Sequence, residues 1–93
     1  MPYIQKEERV ELDAWIKPLI EDIESAGQLN YVISKIVHGY VLKRTMRYGL
    51  LNEAVGVLEC AKAEFIRTVV SPYEDKKIKE NGPVSDLDRE RIL

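Results

Sequence analysis

The sequence has one cysteine and one histidine. No intrachain disulfide can form, and a structural zinc site, which takes four such ligands, has too few. A lone cysteine suits a reducing compartment, so the expected location is cytoplasmic. The opening stretch MPYIQKEERVEL has neither the basic nor the apolar part of a secretion signal. No apolar run approaches the ~20 residues that span a bilayer, so no membrane partner is expected. Sustained polar–apolar alternation is missing, and strands are left without a signal. Internal repeats and low-complexity segments are missing too. The chain also lacks a basic excess. Its pI of about 5.4 makes duplex nucleic acid a poor partner.

What is present is helical periodicity. From about Gln5 to Ser25, Leu12, Ile16, Leu19 and Ile23 recur on one face of a 3.6-residue helix, widened by Val10, Trp15 and Ile20. Pro18 predicts a kink or a break inside it. Gly27 is expected to end it in a left-handed C-cap. A second helix, about Leu29 to Met46, carries Val32, Ile33, Ile36, Val37, Tyr40 and Val41 on its apolar face, and Tyr48-Gly49 reads as its stop. The third is expected to start at Asn52 as N-cap and to run to Val70, where Pro72 breaks or bends it. Tyr73 to Gly82 suggests a further short helix. The residues beyond form a polar tail with some helix tendency, capped by Ser85. The expected fold is all-α: three principal helices in a small bundle plus a short C-terminal helix. The expected domain spans residues 1–82, with residues 83–93 as its tail.

Charge is unevenly placed. Residues 1–24 carry three basic and seven acidic side chains, net −4, whereas residues 25–52 carry Lys35, Lys43, Arg44 and Arg47 and no acid, net +4. Lys43, Arg44 and Arg47, interleaved with tyrosines, suit a phosphate and a stacked ring. The plain alternative is a solvated helix end, or pairing with the acidic first helix. A second polar cluster contains Tyr73 and Lys76, ahead of the Asn81-Gly82 turn. Ala54, Gly56 and Ala63 are small enough to let another helix approach. Cys60 reads as a buried small hydrophobe and His38 as a partly buried ring bonded to a carbonyl. Glu53, Glu59 and Glu64 fan around their helix and match a metal-binding carboxylate set poorly. No metal, cofactor or catalytic residue is expected.

The stretches GQLNYVISKI (Gly27 to Ile36) and NEAVGVLECAKAEFIRTVVSPYEDKKIKENGPV (Asn52 to Val84) resemble a family of small uncharacterised proteins of phages, bacteria and archaea. Its pattern has a G-x-L-N-Y start, an L-E-C-A-K helix and a P-Y-E-D-x-K-I-x-E-N-G ending. The likeness covers nearly all of residues 1–84 and implies no assigned activity. Pro83 stands where members have Asp, which removes a backbone donor from that turn. The pattern includes Asn30 and Tyr31 as well as the Tyr73 cluster. A phage setting implies a counter-defence role as one use for such a protein.

A chain of about this size buries only about 60–65% of its unfolded surface, so mutual shielding by identical copies is expected. The expected function is non-catalytic binding by a homo-oligomer, with a nucleotide-like anion held by Asn30, Tyr31, Lys43, Arg44, Arg47, Tyr73 and Lys76. Two alternatives stand beside it. One is a protein-interaction module without a small ligand, and the other is a metal-dependent nucleotide pyrophosphohydrolase.

Overall fold

In the computed structural model, the backbone of residues 2–92 and the side chains as far as Arg89 are described. Helices take up most of them, and no strand occurs among the described residues. The order is α1 (Lys6–Asp22), α2 (Ala26–Leu42), α3 (Tyr48–Phe65), a π segment (Ile66–Val70), α4 (Ser71–Asn81) and α5 (Asp86–Ile92). Among the described residues the fold is therefore all-α, with five α-helices and one π segment where three principal helices and one short one are expected. Contacts divide it into two compact units, Met1–Glu59 and Cys60–Leu93.

In the first unit α1 runs unbroken through Pro18. The proline deprives the Ala14 carbonyl of its helical donor without splitting the helix. Glu7 and Glu8 lie in its first turn, where the helix dipole favours anions. Gly27 does not end α1. The helix stops at Asp22, and Gly27 lies in the first turn of α2. Ser25 is the N-cap of α2 and accepts the Gln28 N–H at 3.1 Å, while Gln28 Oε1 accepts the Glu24 N–H at 2.7 Å. This near-reciprocal cap makes Ser25 a start signal.

Helix α3 likewise begins earlier than its expected Asn52 cap. The Arg47 carbonyl accepts the N–H groups of Leu50 and Leu51, so Tyr48-Gly49 opens α3 and Asn52 lies inside it. Helices α2 and α3 are linked by a hydrogen bond: Tyr40 Oη donates to Glu53 Oε2 at 3.0 Å. Leu50 and Ala54 are the buried apolar residues among those described, at 3% and 7% exposure. Ala54 lines the space between the two helices together with Val37. A small residue is needed there, because a larger one would hold the helices apart.

The second unit starts in the last turns of α3. The backbone stays right-handed helical through Phe65, Val70 and Ser71. Pro72 does not break the run of helical residues. Instead the Ser71 N–H reaches back to the Ile66 carbonyl, five residues away. The wider turn accommodates a proline ring that would crowd the carbonyl four residues back in a regular helix. Gly82 ends α4 as expected, at φ 88° and with its N–H on the Ile78 carbonyl at 2.7 Å. Positive φ there is cheap only for glycine.

Ser85 caps α5, accepting the Leu87 N–H at 3.1 Å, and Asp88 returns the bond by accepting the Ser85 and Val84 N–H groups at 2.8 and 2.9 Å. Those bonds, that from Ser85 first, hold the Asp88 carboxyl below its ordinary value of 3.8. A lowered folded-state pKa means the cap is complete above the ordinary value and is lost as pH falls through the lowered one. The amide resonances of Val84 and Ser85 should therefore move together in strong acid. Asp88→Asn should abolish that movement in an NMR titration from pH 6 to pH 2.

Candidate functional site

Helix α2 carries or adjoins most of the expected ligand-binding residues, and their places follow from its length. Asn30 and Tyr31 lie near its start and Lys43 at its C-cap. Thirteen residues at 1.5 Å each separate Asn30 from Lys43 by about 20 Å. These residues therefore do not converge within one chain. Tyr73 and Lys76 belong to α4 in the second unit.

Several are already engaged. Asn30 Oδ1 accepts the Ser34 hydroxyl at 3.2 Å. Arg44 Nη1 donates to the Tyr40 carbonyl at 2.7 Å, and its guanidinium carbon lies 3.7 Å from the centre of the Tyr40 ring. Arg44 thus caps the end of α2, where a cation matches the helix dipole. Tyr40 is only partly covered and its hydroxyl reaches Glu53. In the second unit Lys77 sits 5.5 Å from the centre of the Tyr73 ring and pairs with Glu80 at 3.2 Å. Tyr31 and Tyr73 both remain exposed.

Arg47 is placed differently. A Cβ on Gly49 would stand 2.5 Å from its Nη1, so the guanidinium lies over Gly49 in the first turn of α3. That end of a helix favours an anion, and a cation there is held against the dipole. The ion pairs among the described residues are Glu64–Arg67, Lys77–Glu80 and Asp86–Arg89, none of which involves Arg47.

An apolar groove of about 360 Å³ lies between α2 and α3. Val37, Val41, Leu42, Met46, Leu51 and Leu58 line it, with His38 at its wall. His38 is exposed, which corrects its expected burial. Cys60 is exposed as well, since within its own unit no helix covers that face of α3. Of the three small residues expected at an interface, Ala54 is taken up by the approach of α2, whereas Ala63 is exposed and a Cβ on Gly56 would meet nothing within 4 Å. Among the described residues no three His, Cys, Asp or Glu side chains gather as a metal site. No described helix is long and apolar enough to cross a membrane.

Sequence comparison finds one family. The profile of DUF6899, a domain of unknown function, matches residues 1–84. The chain belongs to the DUF6899 family. The match ends at Val84, ahead of α5, so the DUF6899 region contains the whole α2–α3 groove and all seven expected ligand-binding residues. No curated protein and no solved structure matches the chain. Nothing in sequence reasoning pointed to the groove. Periodicity marks an apolar face, but it does not say which part of that face a neighbouring helix leaves uncovered.

Proposed function

We propose that this chain is a non-catalytic binding protein that works as a homo-oligomer. The carrying observation is surface. The chain exposes 8566 Å². A compact monomer of 10.7 kDa would expose about 5,500 Å². Even two separate compact bodies of 59 and 34 residues would together expose only about 6,600 Å² by the same scaling. The remaining excess, about 2,000 Å², is more than the roughly 800 Å² per partner of a stable protein interface. Much of it is apolar: Trp15 is 77% and Val10 73% exposed, and no residue of α1 or α2 is buried. In this reading identical copies complete the small bundle that the three long helices are built for.

An assembly that binds only itself when folded gains stability by mass action. The thermal midpoint should therefore rise with protein concentration. A midpoint that does not change over a hundredfold range of concentration would end this reading.

The position of Arg47 favours a second element, capture of a nucleotide-like anion. Its guanidinium lies over Gly49 in the first turn of α3, and a cation beside a helix start suits a phosphate. Lys43 lies on the same connection between α2 and α3. Sequestration of a nucleotide signal would fit the counter-defence role that the phage resemblance implies. Calorimetry with a panel of nucleotides should show heat that Arg47→Ala removes. An absence of heat with every nucleotide at high micromolar protein would leave a pure interaction module. The hydrolase alternative has no specific observation in its favour.

A further inference from the structure

We infer that the α2–α3 groove is filled by α1 of a second copy of this chain, with Trp15 as the anchor and the acidic flank of α1 set against Lys35 and Lys43. This rests on the self-association reading above and names the interface.

The groove and the helix are complementary in shape and polarity. The groove is apolar, and none of its lining comes from α1. Helix α1 has no buried residue, although Leu12 and Ile16 line a concavity together with Tyr3 and Ile4 of the N-terminal segment. Trp15, 77% exposed, stands at the edge of the stripe formed by Leu12, Ile16 and Leu19. At 100° per residue, Glu8, Glu11 and Asp22 fall within about 40° of it around the helix. An indole entering the groove would thus bring carboxylates to its rim. On the other side, Lys35 lies two turns before the groove residue Leu42, on the same face of α2, and Lys43 follows it directly.

The charges say why the occupant is this chain and not an unrelated helix. The −4 of residues 1–24 answers the +4 of residues 25–52. Neither block forms an ion pair among the described residues, for the three that occur all lie between Glu64 and Arg89. One copy therefore carries both halves of the complement, and two copies related by a twofold axis satisfy both halves twice. Each α1 then lies in the other copy's groove.

Charge reversal tests this in the full-length chain. Glu8→Lys with Glu11→Lys makes one variant, and Lys35→Glu with Lys43→Glu makes the other. Each alone should sediment as a monomer at concentrations where the native chain associates, with helicity by circular dichroism unchanged. Mixed in equal amounts they should associate again, because the reversed α1 of one matches the reversed groove of the other. Two variants that each associate like the native chain would overturn the groove assignment while leaving self-association standing. Failure of the mixture to associate, with both variants helical, would also overturn it. A native chain that is monomeric throughout, whether or not another protein is found on the groove, would remove both.

Discussion

Leu50→Ala should lower the thermal midpoint by more than about 10 °C and reduce helicity at 25 °C. Leu50 is 3% exposed and is the only large apolar side chain buried among the described residues. Truncating a buried leucine costs about 2–5 kcal/mol, and 1 kcal/mol shifts the midpoint of a domain this small by roughly 4–8 °C. Total stability for a chain of this length is on the order of 5–14 kcal/mol, so the loss is a large share of it. The position matters as much as the burial. Leu50 lies in the first turn of α3, immediately after the Arg47 carbonyl that receives its N–H at 3.1 Å. Losing its anchorage loosens the start of the helix that pairs with α2. Circular dichroism melts of the two proteins at equal concentration decide it; a shift of only a few degrees would mean that Leu50 is supported by little.

Trp15→Ala should have the opposite signature. Helicity at high dilution should be kept or slightly raised, since Ala is the better helix former and the indole is exposed within one chain. Self-association should weaken by about 30-fold or more, because a central tryptophan in an interface contributes about 2 kcal/mol or more. Trp15 is the only tryptophan, so its emission reports on its own surroundings. In the native chain that emission should shift to the blue as concentration rises, in step with the sedimenting mass. Emission that stays at the solvent-exposed wavelength throughout assembly would place the interface elsewhere. The two substitutions together separate what holds one chain together from what holds copies to each other.

Much of the local structure was legible because its signals have one physical meaning. Gly82 before Pro83 marked the stop of α4, and the helix tendency expected after Ser85 is realised as α5. The errors fall where a signal has two meanings. Gly27 suits a helix end, yet the Ser25 and Gln28 side chains around it form a start. Tyr48-Gly49 resembled a stop and is the opening of α3, while Asn52, a good cap by type, had no cap to make because Arg47 already served. The candidate site was less legible. The cations clustered in sequence, but Arg44 is spent on Tyr40 and only Arg47 is held against a helix start. Cys60 and His38 read as covered because their helices are apolar on that side. Periodicity reports that a face must be covered somewhere, and it is silent on whether the same chain does so.

The most direct test is the mass of the native chain by sedimentation equilibrium, from low micromolar to high micromolar concentration. We expect a whole multiple of 10.7 kDa that declines toward one chain on dilution. A constant 10.7 kDa over that range, combined with a cooperative and concentration-independent melt, would contradict the account.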